Sequence, residues 1–241
     1  HNIPADKTCS VTVEISKIYG ASWDGTSTTK WTRTDAAASF TDPVPAVNNS
    51  GGSSPFNTIQ PWAGMVKSIR TGGVMVAIPK FWYKITQNGA GIKIQIANKA
   101  ISGFSVSPAH MNRGDGNGER DVVYVGRHHC GATAYKSASG QKPKVSITRS
   151  AARTAIHNLG TNIWQMDFAM RFTIWLLYIV EFADWNSQAK IGYGCGNSKG
   201  TENMGYTDGM TYHTGTTQPS RTTYGYGTQY RWIEGCLLYT S

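Results

Sequence analysis

At 241 residues the chain can bury a substantial core as one large domain, or as a domain with a short appendage, and leaves little room for a second full-sized one. Only 15% of the residues are charged against 39% hydrophobic, so solubility rests on Ser, Thr, Asn, Gln and 27 glycines, which suits a loop-rich particle protein better than a cytosolic enzyme. The net charge of +9 is compatible with nucleic acid, anionic polysaccharide or an acidic subunit as partner, but Lys and Arg are scattered from Lys7 to Arg231 without a basic run, against an arm or helix of the nucleic-acid-binding kind.

In chain order, Ser10 to Ile18 alternates Val11, Val13, Ile15 and Ile18 with polar residues and predicts a strand entering the domain. Tyr19 to Ser54 is rich in Thr, Ser, Gly, Asp and Pro and predicts a long loop pinned by Trp23, Trp31 and Phe40. Val74 to Ile85 and Gly91 to Ile96 alternate on either side of Gln87-Asn88-Gly89-Ala90-Gly91 and predict a hairpin, with Pro79 at an edge or a bulge. Arg120 to Gly126 predicts another strand. Two helices are predicted in the middle: Ile147 to Leu159, capped by Ser146 and ended by Gly160, and a second about Trp164 to Trp185. The second carries Phe168, Phe172, Trp175, Ile179 and Phe182 at helical spacing and is apolar nearly all round, so it should form the core. After Gln188 glycine, threonine, tyrosine and asparagine dominate, predicting short strands and ordered loops.

Residue types that carry chemistry are present without the spacing that chemistry needs. Cys9, Cys130, Cys195 and Cys236 form no CxxC and read as reduced thiols. His128-His129-Cys130, His157 and His213 match no metal motif, and adjacent histidines in a strand face opposite ways, so no metal and no other cofactor is assigned. Met111 to Asp121 lacks the spacing of a calcium loop and reads as a glycine-rich turn, and Gly192 to Gly196 lacks the strand and the Lys-Ser or Lys-Thr ending of a phosphate loop. Arg149, Arg153 and His157 make a basic stripe on the first helix, read as a solvated face before an anion site. The longest apolar run, Phe172 to Val180, falls far short of the ~20 residues that cross a bilayer. The late aromatics Tyr193, Tyr206, Tyr212, His213, Tyr224, Tyr226, Tyr230 and Trp232 stand among small polar residues, the composition of paratopes and sugar-binding surfaces, and are the candidate ligand-binding residues.

Five stretches form a familiar set: IPKFWYKI (Ile78 to Ile85), GFSVSPAH (Gly103 to His110), the Arg149 to Gly160 helix, LLYIVEFADWNSQAKIGYG (Leu176 to Gly194) and YRWIEG (Tyr230 to Gly235). Together they resemble phage and prophage tail-associated proteins with a C-type-lectin-like domain, related in fold to formylglycine-generating enzymes, some relatives being targets of diversity-generating retroelements. The resemblance implies an α+β fold with two central helices and short antiparallel strands, divided as 1-18 (end of a preceding segment and entry strand), 19-235 (lectin-like domain) and 236-241. It implies a tail-tip or tail-fibre protein of the virion that is not an enzyme and binds a bacterial cell-surface glycan or protein. Other tail subunits are the expected neighbours, with a homotrimer as the expected assembly and neither nucleic-acid binding nor membrane insertion.

In that family YRWIEG is followed by a stretch of the type LWGNVWEWVDG. Cys236 to Ser241 instead looks like translated adapter sequence, so the lectin-like domain is expected to be incomplete. The family's enzyme branch uses paired cysteines in its C-terminal region, which have no counterpart here. The alternatives are a structural tail subunit, for which repeats or a heptad stalk would speak, and an enzyme acting on envelope polysaccharide. The latter needs two carboxylates flanking a bond, for which Asp167, Glu181 and Asp184 are the acidic residues near the core helix.

Overall fold

The alternation around Asn88 closes as a hairpin in the computed structural model, which describes residues 16–114, 116–194, 204–217 and 227–235. Among the described residues nine strands precede the α-helices: β1 (Ile18–Trp23), β2 (Thr32–Asp35), β3 (Ala46–Val47), β4 (Lys67–Arg70), β5 (Gly73–Pro79), β6 (Trp82–Asn88), β7 (Gly91–Ala97), β8 (Ser105–Val106) and β9 (Val122–Gly126). Helices α1 (Arg149–His157), α2 (Phe168–Phe182) and α3 (Ser187–Ile191) follow, then β10 (Gly215–Thr216), β11 (Thr228–Tyr230) and β12 (Ile233–Glu234). The architecture is α+β, with strands mostly antiparallel: a sheet in the order β2-β1-β7-β6-β8, a second in the order β4-β5-β9, and a third, β12-β11-β10-β3, whose β10–β3 pair is parallel.

The β6–β7 turn consists of Gly89 and Ala90 between the paired Asn88 and Gly91, with Gly89 at φ 59°, where a residue without Cβ is at no disadvantage. Val74 to Pro79 is not the first half of this hairpin. It forms β5, which lies between β4 and β9, and Pro79 ends that strand opposite Val122, beyond the last β4 partner, Val76. A proline costs no ladder bond on the β4 side there.

The long loop predicted from Tyr19 to Ser54 is a correction. Its first residues are β1, a central strand paired with both β2 and β7. Gly20 and Ala21 hid it from a pattern search, yet small residues are what the position demands: a Cβ on Gly20 would lie 2.4 Å from the Asp35 carboxylate and 3.1 Å from the Ile94 carbonyl. Of the predicted entry strand, residues 10–15 lie outside the described residues. The aromatic anchors do pack inward, with Trp31 4.9 Å from Trp185 and Phe40 5.2 Å from Phe56.

Helix α2 is shorter than its hydrophobic pattern. The Asp167 side chain accepts from Met170 N at 2.9 Å and starts it, and Ala183, left-handed at φ 51°, ends it. Its buried face is Ile174, Leu176 to Phe182, against β1 and β7. Phe168 is 77% exposed and Trp175 only half-buried, so the aromatic stripe taken for core begins at the surface and runs inward as the stack Phe168–Phe172–Trp175. Helix α1 starts two residues later than predicted, because Thr148 rather than Ser146 caps it through Ala151 N at 3.2 Å. One hydrophobic cluster extends from Tyr19 to Ile233, so residues of all three sheets share a core. Among the described residues no helix is long and apolar enough to cross a membrane.

Candidate functional site

The strands β11 and β12 pair Tyr230 with Ile233, leaving Arg231 and Trp232 as a two-residue turn. Both have positive φ, 43° and 71°. That is the geometry of a mirror-image hairpin turn, normally occupied by Asn-Gly, and bulky residues at such angles cost of order 1–3 kcal/mol each. The surrounding packing accounts for their presence. The Arg231 side chain is buried with Glu181 of α2, its Nε 2.8 Å from Oε2 and its NH2 2.6 Å from Oε1, while NH1 donates to the Trp62 carbonyl at 3.0 Å. Ser54 and the Tyr230 hydroxyl donate to the same carboxylate at 2.8 and 2.9 Å. Burial works to raise the pKa of Glu181, but the Arg231 charge and the hydrogen bonds from Arg231 and Ser54 prevail and hold it below the usual range.

With Arg231 turned inward, Trp232 is turned outward. Its half-buried ring has Lys67 Nζ 4.3 Å from its centroid and the His213 ring at 6.1 Å. His213 in turn lies 4.2 Å from the Tyr212 ring. Gly52 lets Tyr212 seat against the backbone, since a Cβ there would be 2.5 Å from the ring. Asn57 links both: its amide donates to Tyr212 OH at 3.1 Å, and its carbonyl oxygen accepts from His213 Nε2 at 2.8 Å. That arrangement puts the proton on Nε2 and leaves Nδ1 to accept from Thr214 Oγ1 at 2.7 Å. The ring is therefore neutral, and burial together with the Arg231 charge brings its pKa down to about 4 despite the opposing pull of Glu181. The result is a patch of three partly exposed rings with hydrogen-bonding edges, backed by a buried ion pair.

Of the eight sequence candidates, the structure brings Tyr212, His213 and Trp232 together. Tyr230 is a correction: it is 0% exposed and belongs to the core beside Tyr178 and Phe182. Tyr193, just after α3, and Tyr206, against Gly227, are half-buried, and Tyr224 and Tyr226 lie outside the described residues. Asn57 and Lys67 had no sequence signal, because they come from a short 3-10 helix (Pro55–Thr58) and from β4, more than a hundred residues away. Glu181 had one, since a carboxylate within an apolar helix requires a buried cationic partner.

Beside this patch lies a second polar network. Arg127, 2% exposed, donates to Asp208 Oδ1, Gln229 Oε1 and the carbonyls of Thr207 and Trp232, which ties the end of β9 to the late loops. His128 follows it, with Asp208 Oδ1 3.4 Å from Nε2 and Glu234 Oε1 3.4 Å from Nδ1. Glu234 also accepts from Gly205 N at 2.7 Å and Thr207 N at 2.8 Å. Burial would raise its pKa, but the His128 ring and the bonds from Thr207 and Gly205 bring it down to about 2.

The other sequence candidates have evident engagements. Asp167 caps α2 and pairs with Arg113 at 2.5 Å; Asp184 accepts from Asn186 N at 2.8 Å and faces Lys190 at 3.6 Å. The Met111 to Asp121 segment turns through left-handed glycines at 114, 116 and 118, and Lys80 pairs with Asp121 at 2.6 Å; Asp115 lies outside the described residues. Arg149 and Arg153 are exposed and His157 stacks on Trp164 at 3.8 Å, bordering an open hollow of about 550 Å³. Cys130 is a free thiol whose pKa is raised by burial, and Cys9, Cys195 and Cys236 lie outside the described residues. No family model, no curated protein and no solved structure matches the chain.

The depressed pKa of His213 has a consequence for acid stability. The unfolded chain takes up a proton near pH 6.5, whereas folded His213 does so only near 4, so stability falls as pH drops through that window. Glu181, lowered in the folded state, extends the loss below its unfolded value, near pH 4.3. The urea midpoint should be level from pH 7 to 8 and fall below about 6.5, and His213→Gln should flatten the upper part of that fall. An unchanged slope in this variant would show that His213 takes up its proton in the folded state.

Proposed function

We propose that the chain is a non-catalytic surface-binding protein of a phage or prophage tail, built on a C-type-lectin-like domain, and that Tyr212, His213 and Trp232 contribute to its binding face for a bacterial cell-surface glycan or protein. The observation that carries the reading is Trp232: a large ring at the tip of a hairpin, at φ 71°, that packs against the edge of the core yet stays partly exposed. The buried Arg231–Glu181 pair fixes this turn and so presents the ring in a defined position. Its neighbours supply flat apolar area from Tyr212 and His213, and the exposed Asn57 amide, with a second N–H and a second lone pair beyond its bonds to those two rings, supplies a donor and an acceptor at the edge. Lys67 over the Trp232 ring adds positive charge and favours ligands with an anionic group.

Trp232→Gly tests this directly. Glycine is at home at positive φ, so the variant should lose strain as it loses ring packing, with a net stability change within about 1 kcal/mol. Binding to host cells or purified envelope glycans should weaken at least ~tenfold, as expected when a central aromatic anchor is removed. If a normally folded Trp232→Gly protein binds as well as the original, the patch is not the recognition face.

A further inference from the structure

His128, Asp208 and Glu234 are far apart in the sequence and belong to no motif, yet one ligand atom from each lies within 4.8 Å of the others. The His128 side chain is 1% exposed, and its Nδ1 has no partner in hydrogen-bonding geometry although Glu234 Oε1 is only 3.4 Å away. A buried imidazole nitrogen without a full hydrogen bond is destabilising. Here it points at a carboxylate that backbone N–H groups already hold in place.

We propose that His128, Asp208 and Glu234 form a binding site for a zinc-like divalent cation. One imidazole nitrogen with two carboxylate oxygens is a mixed donor set of borderline softness, unlike the all-oxygen cages that suit calcium or magnesium. In a tetrahedral site with bonds of about 2.1 Å the ligands stand about 3.4 Å apart, which is the separation of His128 Nδ1 and Glu234 Oε1. The charges agree. Two carboxylates and Arg127, bonded to Asp208 Oδ1 at 3.2 Å, leave one net negative charge for the cation, and the ligand atoms, all within 4.8 Å of one another, close on it by a small rotation of the accessible Asp208 side chain.

Supporting contacts are in place as well: Gly205 N and Thr207 N orient Glu234, and the Ser137 hydroxyl accepts from His128 N at 2.9 Å. Two entry paths exist, through the 41% exposed Asp208 side chain and through a cleft of about 540 Å³ under α1 that His128 and Glu234 help to line. The ion would clip the end of β9 to the loop at Asp208 and to β12, two residues from Trp232. It would stabilise the late segment and leave a coordination position for water or an anionic ligand.

The test is a calorimetric titration of the whole chain with Zn²⁺, with Ca²⁺ as the second arm. One equivalent of Zn²⁺ should bind with a dissociation constant below about 10 µM, and Ca²⁺ far more weakly. Asp208→Asn alters an accessible ligand, and His128→Gln removes the nitrogen while sparing the Arg127–Asp208 pair. Each should weaken Zn²⁺ at least ~tenfold and abolish the rise in melting temperature that Zn²⁺ gives the original protein. Absence of Zn²⁺ binding up to about 100 µM, tighter binding of Ca²⁺, or full Zn²⁺ affinity in Asp208→Asn would each overturn the assignment.

Discussion

Glu181→Gln is expected to destabilise the protein by about 3 to 5 kcal/mol. Glu181 is 0% exposed and receives Arg231, Ser54 and Tyr230 at once. Replacing the carboxylate by an amide leaves the Arg231 guanidinium, itself 2% exposed, as a buried charge without a counter-ion, and its desolvation is no longer offset. The Trp232 turn should suffer with it, because the inward Arg231 side chain is what holds two bulky residues at positive φ. The double variant Glu181→Met, Arg231→Met should cost less than the two single losses added together, since it removes both charges and keeps the volume apolar. Urea unfolding of the three variants measures this cycle. A loss below about 1 kcal/mol for Glu181→Gln would mean that water reaches the pair.

Trp62→Ala should cost about 3 to 5 kcal/mol through cavity formation alone. Trp62 is fully buried at the junction of the sheets and α2, 4.6 Å from Phe56 and 6.0 Å from Tyr19 in an edge-to-face arrangement. Its Nε1 donates to the Leu177 carbonyl at 3.1 Å, and its own carbonyl accepts from Arg231. Truncation leaves aromatic walls too rigid to close in, and it unsettles the peptide that supports Arg231. Trp62→Phe should lie between the original and the alanine variant, losing the hydrogen bond and part of the volume. Chemical denaturation decides it, and equal stability of Trp62→Ala and the original would place the core elsewhere. The corresponding effect at Trp175 should be smaller than its position in the helical pattern suggests, because that ring is half-buried.

What the sequence determined by itself were the features whose physics is local. The all-round apolar character of Ile174 to Phe182 demands burial wherever the helix docks, and the alternation flanking Gly89 specifies a hairpin before any third strand arrives. Helix ends followed caps, and these were legible only approximately, because Asp167 and Thr148 compete with other polar residues nearby for the same role. Strand β1 was not legible, since Gly20 and Ala21 carry little β signal and gain their place only when β2 and β7 close in on either side. The composition of the late segment pointed to an aromatic surface, but which rings are exposed depends on a single turn. Arg231 goes inward to Glu181, 50 positions earlier, so Tyr230 is core and Trp232 stands partly exposed at the edge of the core. Likewise Asn57 meets His213 across 156 positions, and His128 meets Asp208 and Glu234 only after the late loops fold back over β9. Periodicity and composition record what a segment requires of its surroundings, whereas a pair of charges, a strained turn or three converging ligands exists only once distant segments share one volume, and that was decided by tertiary structure.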